Sequence, residues 1–326
     1  MFTQADRQEG DNCISMGTIS QENPNGNENL DNKSKKLWKI QLESLEKLKE
    51  VCDKYGLKYY AGFGTLLGAA RHQGYIPWDD DLDVWMLWSD YKKLLQVCEK
   101  ENIYPWFFAN YISEPEMLPD IMKLRRSDTT CCTNWEIDFL SYAPHYNKGV
   151  WIDIFPLFYI PDNPIVRWVQ KKLIMFLWKI LRGYQGYRNI KDAGFSKLKK
   201  EYEKYVFLYR TCAIFTNFQK LKEKYIKICC AGKDNSKMVG LISFRSNDKS
   251  MRYPANWFEE TIELPFENTI IQCPKEYERI LETLYGDWKT PVHGGQLHET
   301  GIINIDIPYT ENEDVKCRYN VGNYGV

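Results

Sequence analysis

Three aspartates alternate along one short stretch of the chain, as Asp79, Asp81 and Asp83. In an extended segment these side chains point to one face, and successive same-face side chains start about 6.6 Å apart. At that spacing the carboxylates can converge on one divalent cation, and hard oxygen ligands favour Mg²⁺, Mn²⁺ or Ca²⁺ over Zn²⁺. The spacing therefore predicts a metal site.

A run of acidic residues is more often a solvated loop than a site. Here, however, Ile76 and Trp78 precede the acidic cluster, and an apolar stretch at 84–88 follows it. Carboxylates held together in an apolar frame repel one another and take up protons unless a cation neutralises them. We therefore favour the metal site over the solvated loop.

A further carboxylate stands in the apolar segment 149–156, where Asp153 is the sole charged residue. An aspartate in an apolar strand is costly unless it is paired or bound to a metal. Taken alone, a structural aspartate that caps a nearby loop explains the residue equally well. Beside the acidic cluster, Asp153 is predicted to be its partner from a neighbouring strand.

The turn at 62–65 contains two glycines and leads into a short helical segment. Backbone N–H groups at the start of a helix bind anions such as phosphate. A glycine-rich turn is a weak signal by itself. It gains weight here because Gly64 and Thr65 lie one short helix before the carboxylates.

Hydrophobic periodicity predicts the elements that must position these residues. Helices are predicted over 34–55, 65–71 and about 90–98, and strands over 57–61, 104–112, 121–125 and 150–155. Strands interleaved with helices in this order predict an α+β fold whose mixed β-sheet core carries flanking helices.

The chain is predicted to divide into four regions. They are a flexible tail at 1–33, a catalytic core at 34–160, a helical and basic region at 161–240, and a C-terminal region at 241–326 that packs on the core. The tail is polar and has nothing to offset the entropy of ordering it. In the C-terminal region one helix is predicted, over 274–285.

Residues 165–182 combine a wide apolar face with five basic side chains. Such a helix can lie in a membrane interface, which would suit a lipid-linked acceptor. A helix packed on the core with its basic residues in water explains the pattern equally well. Both interpretations predict a helix, and they differ in what covers its apolar face.

Composition restricts the partners and the compartment. With 43 basic and 44 acidic residues the net charge is −1, which lacks the basic excess typical of a nucleic-acid partner. The ten cysteines show no zinc-ligand spacing, so reduced thiols are expected. No signal peptide and no run of about 18 apolar residues is present. A cytoplasmic protein is predicted, with peripheral contact at the inner face of the membrane as an alternative.

Four segments resemble motifs of the LicD family, which includes bacterial phosphocholine transferases and is related to fukutin-type ribitol-phosphate transferases. Residues 64–83 are similar to its signature, 150–157 to its second motif, and 123–130 to the segment between them. Residues 285–288, with Pro291 and His298, resemble its C-terminal signature. The match departs where the family usually has a double proline, since Val292 follows Pro291, and Gln296 stands where arginine is common.

The resemblance implies a nucleotidyltransferase-like fold and assigns roles to the residues that match its motifs. Gly64 and Thr65 would hold phosphate, Asp81 and Asp83 would bind the metal, and Asp153 would complete the site. Asp79 would be a further metal ligand. Either Asp153 or Asp83 would orient or deprotonate the acceptor hydroxyl.

The reaction expected from this resemblance is metal-dependent transfer of a phosphoalcohol, best matched by phosphocholine from CDP-choline. The acceptor would be a hydroxyl of a cell-surface glycan, such as teichoic acid or lipopolysaccharide, or of its lipid-linked precursor, and CMP would leave. The transferred charge needs cations besides Mg²⁺ or Mn²⁺. The candidate cations are Arg71, Lys123 and Arg125, and His298 is a candidate substrate or phosphate ligand.

Other outcomes remain open at this point. The donor could deliver ribitol phosphate, glycerol phosphate or phosphoethanolamine, or the enzyme could transfer a whole nucleotide. From another class, the chain could be a non-catalytic metal-binding or membrane-associated scaffold on the same fold. The presence of Asp81, Asp83 and Asp153 together favours an enzyme.

Overall fold

The computed structural model describes residues 28–133, 136, 145–192, 200–245, 249–292 and 300–315. The helices within these ranges are α1 (Glu28–Tyr55), α2 (Phe63–His72), α3 (Trp88–Val97), α4 (Pro164–Asp192), α5 (Lys200–Cys212), α6 (Phe218–Cys229), α7 (Ile242–Arg245) and α8 (Tyr277–Tyr285). The strands are β1 (Tyr60–Ala61), β2 (Asp83–Leu87), β3 (Trp106–Ala109), β4 (Met122–Arg126), β5 (Thr130–Thr133), β6 (Val150–Ile160), β7 (Met238–Gly240), β8 (Arg252–Pro254), β9 (Thr261–Phe266), β10 (Thr269–Pro274) and β11 (Thr300–Asn304).

A mixed sheet forms the centre of the molecule, with the strand order β1–β2–β6–β4–β3. β2 runs parallel to β6, whereas β1 pairs antiparallel with β2, and β4 pairs antiparallel with both β6 and β3. The far part of β6 continues into a second ladder with β7 and β8. The described strands and helices therefore confirm the predicted α+β class.

Helices cover the sheet because its central strands are apolar on both faces. In β2, Val84, Trp85 and Met86 have no exposed surface, and in β6 the same holds for Ile154 and Leu157, which lie on opposite faces. Strands buried on both faces read as continuous apolar runs, which is how these segments appear in the sequence. A charged residue in either strand therefore lies at the edge of a dry layer.

The helical region packs around a hydrophobic cluster of its own. Ile174, Ile180 and Leu181 of α4 pack there with Leu221 and Tyr225 of α6. The cluster also includes Phe158 and Ile160 from the far end of β6. One strand thus reaches from the carboxylates into the helical region.

Several predicted boundaries differ from the structure. α1 begins at Glu28, inside the segment 1–33 predicted as a tail, and the strand predicted over 104–112 is shorter, as β3. The helix predicted over 274–285 begins at Tyr277, because Pro274 ends β10. The pattern also missed β5 and all strands from β7 to β11.

Two expectations from composition concern the described residues. The eight cysteines within them are free thiols, in agreement with the prediction. None of the helices in the described ranges combines the length and hydropathy required to cross a membrane.

Candidate functional site

Two neighbouring strands place two carboxylates side by side. In the parallel pair of β2 and β6, Asp83 lies directly opposite Asp153, and the Asp153 backbone N–H donates to the carbonyl of Leu82 at 2.9 Å. On the other side of β6, Lys123 of β4 is the register partner of Asp153. Its ammonium donates to Asp153 Oδ1 at 2.8 Å and lies 4.1 Å from the ring centre of Trp151. The sheet thus lines up Asp83, Asp153 and Lys123 across three adjacent strands.

The segment before β2 is held from outside the sheet. The Trp38 indole N–H of α1 donates to the carbonyl of Asp79, and the Gln41 side-chain amide donates to that of Asp80, both at 2.9 Å. Pairing with the sheet begins at Asp83, so Asp79 and Asp81 lie before the strand. A turn, in which the Asp79 N–H donates to the carbonyl of Ile76 at 2.8 Å, precedes these residues.

The carboxylates nevertheless influence one another. Asp83 is 5% exposed, and its Oδ1 atom has no hydrogen-bond partner among the described residues. Burial raises the pKa of Asp83 well above its usual range, and the charges of Asp81, Asp153 and Asp79 raise it further, while Lys123 lowers it. A carboxyl group in this position favours a proton or a bound cation over an isolated charge.

The glycine turn lies against the acidic segment. A Cβ atom on Gly64 would lie 2.3 Å from Asp79 Oδ2, so only glycine lets the carboxylate approach this closely. Thr65 is buried, and its hydroxyl oxygen accepts a hydrogen bond from the Asp83 backbone N–H at 2.8 Å. The start of α2 and the start of β2 are therefore locked together.

The turn also contains an uncommon backbone conformation. Phe63, between the two glycines, has a φ of +40°, which few residues other than glycine adopt. Its ring is held edge-to-face against Trp85 at 5.1 Å and Phe155 at 5.3 Å between ring centres. Conformations of this kind cost about 1–3 kcal/mol and cluster at functional sites.

The four predicted anion ligands fall in different places. Lys123 is in the site. Arg71 donates through Nη1 to the carbonyl of Trp288 at 2.9 Å and so ties the end of α2 to the segment after α8. Arg125 shares the face of Lys123, as alternation predicts, but it is 2% exposed, pairs with Glu136 and donates to the carbonyl of Gly149 at 3.0 Å. His298 lies outside the described residues.

The anion-binding roles of these residues stay predictions, but the structure shows which of their charged groups lie near the site. The ammonium of Lys123 reaches a carboxylate of the site, whereas the guanidinium of Arg125 is occupied by structural partners. Arg71 retains an influence on the site, because its charge lowers the pKa of Tyr285. The charges of the nearby aspartates raise that same pKa. Lys123 and Arg71 therefore remain the candidate cations of the site.

Two tyrosines near the aspartates carry no role from sequence reasoning. Burial raises the pKa of Tyr285, and the charges of Asp79, Asp83 and Asp81 raise it further. Burial and then the charges of Asp81, Glu267 and Asp79 raise the pKa of Tyr75, whose hydroxyl lacks a hydrogen-bond partner among the described residues. Tyr285 is the first residue of segment 285–288, which resembles the C-terminal signature of the LicD family. That resemblance is the sequence signal that could have indicated Tyr285 as a site residue.

The donor chemistry fits a hard divalent cation. Within the part of the chain that the structure describes, the buried Oδ1 of Asp83 has no hydrogen-bond partner, and the carboxylates of Asp79, Asp81 and Asp153 lie close enough to raise the pKa of Asp83. Across the described part of the chain, no three His, Cys, Asp or Glu side chains are already grouped as a complete metal-ligand set. The Lys123 ammonium instead occupies one oxygen of Asp153. A cation that binds this oxygen of Asp153 would therefore displace the Lys123 ammonium.

A glycine turn at the start of a helix, an aspartate that opens the next strand and a second aspartate on the parallel neighbour together indicate a nucleotidyltransferase-type core. Residues 56–171 match the family model described as the LicD/FKTN/FKRP nucleotidyltransferase domain. This match, together with the similarity over most of the chain that is described next, supports a LicD-family phosphotransferase.

Individual relatives differ in how much of the chain they cover. The chain is 27% identical over 257 residues to the lipopolysaccharide cholinephosphotransferase LicD of Haemophilus influenzae, which spans 76% of this chain and 88% of that protein. An uncharacterized protein of Rickettsia prowazekii is 50% identical over 48 residues, or 15% of this chain and 18% of that protein. An uncharacterized protein of Rickettsia typhi is 54% identical over 41 residues, or 13% of each.

Proposed function

We propose that this protein transfers phosphocholine from CDP-choline to a hydroxyl of a cell-surface glycan or of its lipid-linked precursor and releases CMP. The observation that carries the proposal is the alignment of Asp83, Asp153 and Lys123 on three adjacent strands beside the glycine turn. The named Haemophilus relative, which aligns with most of the chain, supports phosphocholine as the transferred group and lipopolysaccharide as the acceptor class. A cytoplasmic location stays a prediction.

The chemistry requires one bond to form and one to break. The acceptor oxygen bonds to the phosphorus that carries choline, the bridging P–O bond breaks, and the electron pair leaves on CMP. The hydroxyl proton passes to a carboxylate, for which Asp153 and Asp83 are the candidates. Lys123 would offset negative charge on the transferred phosphoryl group, and the first N–H groups of α2, near Gly64 and Thr65, would hold phosphate oxygens.

Asp81, Asp83 and Asp153 are the residues proposed to hold a Mg²⁺ or Mn²⁺ ion, with Asp79 as a further ligand. When bound, the ion would neutralise the donor diphosphate and stabilise the leaving oxygen. The density of carboxylates supports this assignment, since the charges of Asp81, Asp153 and Asp79 raise the pKa of Asp83 and that of Lys123 lowers it.

Incubation with a panel of activated donors tests the proposal. CDP-choline, CDP-ribitol, CDP-glycerol and CDP-ethanolamine are each supplied with Mg²⁺ and a dephosphorylated glycan acceptor, and CMP release is followed. We expect CMP release with CDP-choline and its loss in the Asp81→Ala/Asp83→Ala variant. Preference for another donor would replace phosphocholine in the proposal. Equal CMP release by the variant and the wild type would overturn the catalytic site itself.

A paired glycine substitution tests the contact between the turn and the acidic segment. In Gly64→Ala the new Cβ meets only the end of a side chain, Asp79 Oδ2 at 2.3 Å, which can rotate away. Alanine also favours the helix by about 1 kcal/mol. We therefore expect a melting temperature at or above that of the wild type, with turnover about tenfold lower because the carboxylate is displaced.

Gly68→Ala in the same helix is the matched control. Its Cβ would lie 2.3 Å from the backbone carbonyl oxygen of Gly74, an atom that cannot rotate away. Forced contacts in a packed interior cost about 1–3 kcal/mol, so we expect Gly68→Ala to lower the melting temperature. Differential scanning fluorimetry with CMP-release assays measures both effects. Equal destabilisation by the two substitutions would contradict the assignment of Gly64 to the site.

A further inference from the structure

The helix α4 is apolar on two opposite faces. One face packs into the protein, where Ile174, Leu177 and Leu181 are buried in the cluster shared with α6. The structure therefore agrees with the expectation that the helix packs on the core. It also leaves a second apolar face, which the core does not cover.

That second face lies along the N-terminal half of the helix. Ile165 is 72% exposed and Trp168 is 61% exposed. Side chains three, four, seven and eight positions apart share one face of a helix. The residues of this exposed apolar face are Ile165, Val166, Trp168, Val169, Leu173 and Phe176.

The same stretch of the helix carries basic residues. Residues 165–176 include Arg167, Lys171 and Lys172 and no acidic residue, although the whole chain has a net charge of −1. Burial lowers the pKa of Lys171, and the neighbouring charges of Arg252, Lys172 and Lys249 lower it further. Lys171 and Lys172 of α4 thus lie near basic groups from another part of the chain.

We propose that the exposed apolar face of α4 is a docking surface for an anionic lipid bilayer. Contiguous exposed apolar surface is uncommon on soluble monomers and marks interaction sites. Exposed aromatic and aliphatic residues flanked by lysine and arginine are the composition of helices that lie in a membrane interface. The Lys172 ammonium, 6.0 Å from the Trp168 ring centre, lies where a lipid phosphate would meet both groups.

Charge favours a bilayer over a second copy of the chain. In a symmetric dimer the same surface patch faces itself, so the lysines around Lys171 would oppose one another. An anionic headgroup layer instead neutralises them, by about 1 kcal/mol for each basic residue near the surface, which corresponds to about fivefold in affinity. The inference goes beyond the proposed reaction, since the docking surface requires neither donor nor acceptor.

Co-sedimentation of the full chain with vesicles tests the inference. The vesicles contain either phosphatidylglycerol and phosphatidylcholine in equal parts or phosphatidylcholine alone. We expect binding to the mixed vesicles, about tenfold weaker binding to phosphatidylcholine, and weakening by salt. Trp168→Asp/Phe176→Asp should lower binding by tenfold or more, and Arg167→Gln/Lys172→Gln by about tenfold.

The variant Ile103→Asp/Ile112→Asp is the matched control, since both isoleucines are exposed on another part of the molecule. It should bind vesicles as the wild type does, and all variants should keep their circular dichroism spectra. Absence of binding to the mixed vesicles, or equal binding by Trp168→Asp/Phe176→Asp, would overturn the inference. So would a dimer in light scattering that Trp168→Asp/Phe176→Asp disrupts while wild-type vesicle binding is absent.

Discussion

The Asp83→Asn substitution is expected to lower CMP release by about 10³-fold or more while raising the stability of the metal-free protein. The Asp83 carboxylate lies at the centre of the acidic site, and the proposed reaction needs its charge. Its loss should therefore cost several kcal/mol of transition-state stabilisation. The same charge is unfavourable in the metal-free fold, because Asp83 is 5% exposed and its Oδ1 has no hydrogen-bond partner among the described residues. Activity and stability should therefore change in opposite directions.

The pH dependence of stability follows from the same cause. The pKa of Asp83 is raised in the folded state by burial and by the charges of Asp81, Asp153 and Asp79. A group whose folded pKa lies above its unfolded pKa contributes stability that is complete below the unfolded pKa. That stability is lost as the pH rises through the folded pKa. Metal-free wild type should lose stability over this window, and Asp83→Asn should lose less.

Thermal melts in EDTA and in Mg²⁺ measure both halves of this prediction. Removal of one uncompensated buried charge is worth about 1–3 kcal/mol, and each kcal/mol raises the melting temperature by about 2–4 °C in a large domain. Mg²⁺ should raise the melting temperature of the wild type by mass action and leave Asp83→Asn unchanged.

Asp53→Asn serves as the control, because Asp53 is exposed on α1 and belongs to no part of the site. It should leave activity, the melting temperature and the Mg²⁺ response unchanged. A lower melting temperature for Asp83→Asn in EDTA would show that its charge is already compensated. If Asp83→Asn kept more than a tenth of wild-type turnover, Asp83 would not be a catalytic residue.

The sequence predicted that Asp83 and Asp153 lie on neighbouring strands, because an aspartate in an apolar strand needs a partner that compensates its charge. The position of Lys123 and Arg125 on one face was also predictable, from strand alternation. Their different environments were not, since Glu136, the partner of Arg125, lies on a part of the chain that no local pattern connects to β4. Pairing across the fold decides which of two equivalent bases is available to a substrate.

The short C-terminal strands escaped prediction for a physical reason. β9 and β10 form a hairpin around Glu267, whose φ is +55°, without the Asn-Gly or Asp-Gly pair that usually indicates such a turn. Pro265 lies within β9, and proline normally argues against a strand. The hairpin still matters for the site, because Glu267 Oε1 accepts a hydrogen bond from the Tyr75 backbone N–H at 2.9 Å.

The resemblance supplied roles that the local pattern could not. The alternation of Asp79, Asp81 and Asp83 predicted that their carboxylates converge, but only Asp83 lies within the paired strand. The segment before it is held by α1, whose Trp38 and Gln41 side chains donate to the backbone carbonyls of Asp79 and Asp80. A helix more than 35 residues upstream cannot be inferred as a clamp from periodicity alone.

Lys123→Met is expected to lower turnover by about 10²–10³-fold, the usual effect of removing one group that stabilises charge in a transition state. The methionine retains the apolar stem beside Trp151 and removes the ammonium, which lies 2.8 Å from Asp153 Oδ1. Because the ammonium and a metal ion would compete for the same carboxylate, Lys123→Met should also bind Mg²⁺ more tightly. Isothermal titration calorimetry measures that affinity independently of turnover.

The two effects together separate a role in the reaction from a role in folding. Lys123→Arg keeps the charge and should recover part of the turnover, whereas Lys93→Met removes a surface ammonium and should change neither quantity. If Lys123 served only to hold the sheet together, Lys123→Met would lower the melting temperature and leave the turnover of the folded fraction intact. A loss of turnover with weaker Mg²⁺ binding would show that the ammonium supports the ligand set. Tighter binding with lost turnover would assign Lys123 to the transferred phosphoryl group.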